Sequence, residues 1–199
     1  MGPKPASLES VCVFCGSSDA ADPRLLADAA TLGRDLAGRG LRLVYGGGGV
    51  GLMGACARAA HQSGGAVLGV IPDFLTARER AFDVVETLVV KTMHERKQTM
   101  FERSDGFVVL PGGIGTLEEI VELLSWRRLN LHAKPVVFHS PGGFWNPLFQ
   151  LFAHTVEQQL TPAAFMDSWK VVERVEEVLP TLEEMAARAP DSLDAIQLT

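Results

Sequence analysis

The chain has 199 residues, 47% of them hydrophobic, with 18 basic and 24 acidic side chains for a net charge of −6. That length and apolar content suit one domain with a real core and exclude a disordered or fibrous chain. The acidic balance weighs against a general nucleic-acid binder, no apolar run reaches membrane-spanning length, and three cysteines cannot build a disulfide framework.

Along the chain, MGPKPASLES has no long apolar stretch behind a positive segment and does not read as a signal peptide, so a cytoplasmic location is expected. VCVFC (11–15) is the first predicted strand, and GSSDAADP breaks it. Cys12 and Cys15 form a CxxC, but a redox CxxC opens a helix, whereas this one lies in a strand-like run, so buried, inert thiols are expected. Residues 24–39 read as a helix, with Leu25, Leu26, Ala29, Leu32 and Leu36 at helical spacing. LRLVY (41–45), a helix over 52–62 and the strand AVLGVI (66–71) follow; 73–83 is polar and irregular. A strand over 84–90 and a helix over 93–103 precede FVVL (107–110) and a helix over 116–128. PVVFH (135–139), a helix over 146–159, WKVV (169–172) and a helix from Glu173 that ends near Pro180 complete the pattern; the tail after Ala187 looks peripheral.

Strand and helix alternate, and several strands are continuously apolar. This predicts one α/β domain over 1–199, with its core at about 10–180 and a mostly parallel sheet covered by helices on both faces. Ligands then belong at the strand C-termini near a switch point, where glycine clusters fall after Cys15, Tyr45 and Leu110.

A strand that ends in glycines before a helix offers converging N–H groups and a favourable helix dipole to an anion. Gly112, Gly113, Gly115 and Thr116 can cradle a phosphate, as can the loop of Gly47 and Gly48; the alternative is that the glycines only permit a tight turn. Gly46-x-Gly48-x-x-Gly51 has dinucleotide spacing, but the acidic residue expected about twenty positions later is absent from AVLGVIP, and no GxxxxGK[ST] occurs. A nucleotide is expected, with no cofactor.

Two readings stand for Glu119. Thr116-x-x-Glu119 matches a capping box. Alternatively, Leu117, Ile120, Val121 and Leu124 pack on the sheet while Glu119, Leu123 and Trp126 form another stripe, which a partner subunit covers, placing Glu119 at an interface with a tunable pKa. In TMHERKQTM (92–100), Arg96 and Lys97 are either snorkelling side chains or a cationic wall for phosphate or sugar oxygens, and His94 either a base or a surface residue.

Taken together, PGGIGTLEE (111–119), GGGGVGLMG (46–54), MHERK (93–97), FCGSS (14–18) and HAKP (132–135) resemble the LONELY GUY family, the cytokinin riboside 5′-monophosphate phosphoribohydrolases, over about 10–180. The resemblance implies a Rossmann-like homodimer, or higher homo-oligomer, with sites at the interface. It implies cleavage of the N-glycosidic bond of an N6-modified AMP, or of AMP, into free base and ribose 5-phosphate. It implies Arg96 and Glu119 as the catalytic pair and Gly113, Gly115 and Thr116 as the phosphate grip. Lys97 and Met93 match substrate contacts, and Glu79 aligns with a family glutamate after IPxxL. Ser125 stands where plant members have threonine, and Thr92 where many have aspartate. The family's older label, lysine decarboxylase, finds no support here: nothing marks Lys97 as a Schiff-base lysine. The rival readings are a non-catalytic nucleotide or cofactor carrier and, more remotely, an NAD enzyme.

Overall fold

Seven parallel strands form the sheet of the computed structural model, which describes residues 8–77 and 80–188. The strands are β1 (Ser10–Phe14), β2 (Arg42–Tyr45), β3 (Val67–Pro72), β4 (Glu86–Val90), β5 (Gly106–Val109), β6 (Val136–His139) and β7 (Lys170–Val172), in the order β4-β3-β2-β1-β5-β6-β7. The helices are α1 (Pro23–Gly38), α2 (Gly51–Gln62), α3 (Met93–Glu102), α4 (Ile114–Arg128), α5 (Asn146–Glu157) and α6 (Val178–Arg188). The chain builds outward from β1 to β4, then returns to the other side of β1 with β5. That reversal makes the switch point β1/β5.

In the inner strands side chains alternate between two covered faces, which is why these strands read as unbroken apolar runs, whereas the edge strands β4 and β7 are partly exposed. Val11, Val13, Leu43, Tyr45 and Val108 pack with Leu32 and Leu36 of α1, Ala57 of α2 and Leu182 of α6. Cys12, Phe14, Val44, Phe107 and Phe138 pack on the other side with Met100 of α3 and Ile120, Leu123 and Leu124 of α4. Helices α1 and α2 cross closely at Gly33, where a Cβ would stand 2.2 Å from the Cys56 carbonyl oxygen. The register of β1 on β5 is pinned by Asp105. Its Oδ2 accepts from Glu9 N at 3.0 Å, Ser10 N at 2.9 Å and Ser10 Oγ at 2.9 Å.

Three expectations need correction. The last helix does not stop at Pro180: α6 starts at Val178 and runs to Arg188, with the proline in its first turn, where its missing N–H costs nothing. Thr116 is not an N-cap. Helix α4 starts two residues earlier, capped by Gly113, and no side chain caps it. The capping box sits instead on α3, where Glu95 N donates to Thr92 Oγ1 at 3.1 Å and Lys91 N and Thr92 N donate to Glu95 Oε2. The faces of α4 also differ: Leu123 is core, at 3% exposure, and Val121 points out, at 49%. Cys12, Cys15 and Cys56 are free and buried, and burial raises each thiol's pKa, so they stay protonated. No described helix is long and apolar enough to cross a membrane.

Candidate active site

Two helix N-termini meet at the C-terminal ends of β1 and β5, around a cavity of about 480 Å³. Its walls include Gly16 and Ser17 after β1, Leu52 and Met53 of α2, Gly112 to Thr116, Glu119 of α4, and Phe144. The loops after β1 and β5 touch: Gly16 N donates to Pro111 O at 3.0 Å. A Cβ at Gly112 would lie 2.2 Å from Thr116 Oγ1, so glycine is what lets the buried Thr116 fold back over the loop.

The two N-termini differ in how their free N–H groups are satisfied. At α2, Gly51 N donates to Asp19 Oδ1 at 2.9 Å, and Leu52 N and Met53 N donate to Gly16 O at 3.0 and 3.3 Å. This helix carries its own carboxylate, and the Gly51 amide holds the Asp19 pKa below its ordinary value. At α4 the N-cap is a glycine with no side chain to offer. The exposed Gly113, Ile114 and Gly115 present the first turn to solvent at the cavity. That is the arrangement for a phosphate or carboxylate.

The expected site residues separate into groups. Gly112, Gly113, Gly115, Thr116 and Glu119 line this one cavity. Arg96 and Met93 lie on α3. Arg96 is 5% exposed; its Nη2 donates to Gly46 O at 3.0 Å, and its Nη1 lies 3.9 Å from Met93 Sδ. Gly47 and Gly48 are buried under residues 80–82, where Gly48 bridges Ala81 and Phe82 N donates to Gly47 O at 3.1 Å. That loop seats Arg96 and α2 rather than opening on the cavity. Lys97 donates to Glu118 and, at 2.8 Å, to Glu122. Burial works to lower its pKa, but the two carboxylates hold it above the ordinary lysine value. Ser125 lies on the outer surface of α4 with Ile114, Leu117 and Val121, away from the glycines. Glu79 lies outside the described residues.

Residues not named as site candidates also line the cavity: Gly16, Ser17, Ser18, Leu25 and Phe144. The glycine after Cys15, at the end of a strand, was the signal for the first three; Leu25 and Phe144 carry no signal beyond ordinary helix and turn positions.

A family model described as possible lysine decarboxylase matches residues 53–182. The chain is 41% identical to a probable cytokinin riboside 5′-monophosphate phosphoribohydrolase of Oryza sativa subsp. japonica (LOG4), over 90% of this chain and 79% of the relative. The chain belongs to this phosphoribohydrolase family. Within the family it is also 39% identical to the cytokinin riboside 5′-monophosphate phosphoribohydrolase LOG3 of Arabidopsis thaliana, over 89% of this chain and 86% of that one. Among solved structures, the molybdenum cofactor carrier protein of Chlamydomonas reinhardtii has the same fold. Its TM-score is 0.67 at 22% identity, covering 89% of this chain and 98% of that chain. This chain and the carrier thus share a Rossmann-like sheet with helices on both faces.

Proposed function

We propose that the protein hydrolyses the N-glycosidic bond of an AMP-type nucleoside 5′-monophosphate, with or without an N6 substituent, to free base and ribose 5-phosphate. The observation that carries this reading is the uncapped start of α4 opening on a cavity that also contains Glu119. The 5′-phosphate sits on the N–H groups of 113–116, with Thr116 Oγ nearby. Fixing this remote group orients the scissile bond. Cleavage builds positive charge on the ribose. Glu119, half-buried and two residues past the first turn, lies in the same cavity, where its carboxylate stabilises that charge or activates water. Arg96, seated on Gly46 O, orients the sugar and the carboxylate.

The geometry of Lys97 argues against the decarboxylase description. A Schiff-base lysine needs a neutral amine, whereas Lys97 is held charged between Glu118 and Glu122.

We further infer a homodimer or higher homo-oligomer formed through the outer face of α4. Ile114 is 84% exposed and Val121 49%, and Leu117 and Trp126 flank them on the helix that bears Glu119. We place the working protein in the cytoplasm.

The test is to incubate the protein with AMP and with N6-isopentenyl-AMP and to measure free base and ribose 5-phosphate. Release by the wild type, lost in Glu119→Gln with phosphate-ligand affinity retained, supports the assignment. Binding without release would instead make the protein a carrier.

A further inference from the structure

A second hollow, of about 730 Å³, lies at the opposite end of the sheet from the glycine cavity. It opens where β6 and β7 begin, beside Pro135 and Lys170, between the C-terminal turn of α4 and the last turns of α6. Nothing in the proposed chemistry uses it.

Its charge is opposite to that of the chain. Arg127, Arg128, Lys170 and Arg188 line it against Asp167 and Glu184, in a protein of net charge −6. Glu184 is spent on Arg188, at 2.5 Å. Arg127 is partly buried, and among the described residues it has no carboxylate partner. Its Nη1 donates to Lys134 O at 2.7 Å, which fixes the guanidinium in place. Burial lowers its pKa, and the one hydrogen bond to a carbonyl brings no negative charge to offset that burial. A second polar group is also left over. His132, 4% exposed, lines the same hollow and gives its Nε2–H to Leu123 O at 3.0 Å. That leaves Nδ1 as a bare acceptor, and it meets no donor among the described residues.

We propose that this hollow is a second ligand site, for a small phosphorylated molecule that also carries a hydroxyl or amine donor. The anion compensates Arg127, Arg128 and Lys170, and the donor reaches the polar floor at Ser168, beside the buried His132. The volume falls in the range of small-molecule sites. An Arg fork already oriented by a backbone carbonyl suits bidentate contact with phosphoryl oxygens. The site lies far from the base-releasing chemistry, so occupancy does not compete with substrate for the glycine cradle.

The experiment titrates inorganic phosphate, then AMP, into ¹⁵N-labelled protein and follows backbone amides. The expected result is two saturable sets of shifts, one at 113–116 and one at 127–128 and 168–170. Lys170→Met with Arg128→Gln, both exposed positions, should weaken the second set at least tenfold. The first set and base release should not change. Arg127→Met should abolish the second set; should that variant unfold, the exposed pair alone decides. A single set confined to the glycine loop, or a second set indifferent to the Lys170 and Arg128 changes, overturns the proposal.

Discussion

Arg96 lies against Gly46, fifty positions away in sequence: its Nη2 donates to the Gly46 carbonyl, and a Cβ on that glycine would stand 2.0 Å from the same nitrogen. The first glycine after β2 is therefore the seat of a guanidinium. Gly46→Ala should push Arg96 out of place. A displacement of about 1 Å in a positioning group costs on the order of 100-fold in rate. Base release should fall by about that factor, while phosphate affinity, measured by calorimetry, stays near wild type. Unchanged turnover would mean that Arg96 does not act from this position.

Two glycines of the cradle make a matched pair. A Cβ at Gly112 collides with Thr116, whereas one at Gly115 meets nothing within 4 Å. Gly112→Ala should lower the melting temperature and phosphate affinity together. Gly115→Ala, in the first turn of the helix, should stabilise the fold by up to about 0.5 kcal/mol. Any loss of phosphate affinity in Gly115→Ala then reports the ligand and not the fold. A Gly115→Ala protein with full affinity would show that the bound phosphate leaves room for a side chain at that position.

The outer face of α4 gives a third expectation. Val121→Glu places a charge on a half-exposed apolar position without touching the core. Sedimentation should show the wild type as at least a dimer and the variant as a folded monomer with reduced base release. A monomeric wild type at micromolar concentration removes the interface from the proposal.

His132 supplies a pH dependence. Burial is the main cause that pushes its pKa from 6.5 down to about 4; the Leu123 carbonyl opposes this, and Arg127 and Lys134 add to it. A group depressed in the fold binds its proton first in the unfolded chain. Its contribution to stability is complete above pH 6.5 and is lost as pH falls toward 4, by about 3 kcal/mol in total. Urea midpoints measured across that window should slope downward for the wild type and flatten in His132→Phe. Parallel slopes would show that the imidazole stays accessible to protons when folded.

Much of the architecture was written in local pattern. Val11 to Phe14 and Phe107 to Val109 are apolar at every position because both faces of a parallel sheet are covered, and that signal survives without any structure. The start of α4 was not legible. Gly113, Ile114 and Gly115 have poor helix or loop-like propensity, so the helix was expected to begin at the first good cap, Thr116. The dipole and the neighbouring loop, not propensity, let it begin at Ile114. The faces of α4 were hidden for another reason: Leu123, Ile120, Leu124, Leu117 and Val121 form one continuous apolar arc, and only the packing shows that the sheet takes its Leu123 side and leaves Val121 outward. Pro180 resembles a stop because a proline at the end of a helix and a proline in its first turn look alike without the flanking fold. Of the site, the glycines and Glu119 were visible by spacing. The role of Asp19 was not, because a carboxylate on one loop that closes a helix thirty-two residues later leaves no periodic trace.

The Asp105 clamp has a consequence for how the chain is made. β1 is the central strand, yet one of its two neighbours is β5, tied to Ser10 across 95 residues. As the polypeptide leaves the ribosome, the first half can close β1 only against β2 and must hold Cys12 and Phe14 bare until Phe107 emerges. Parallel pairing over such a span is slow to nucleate. Nascent chains halted before Gly106 should therefore be readily cut by protease, and resistance should appear only once the second half begins to lock onto the first.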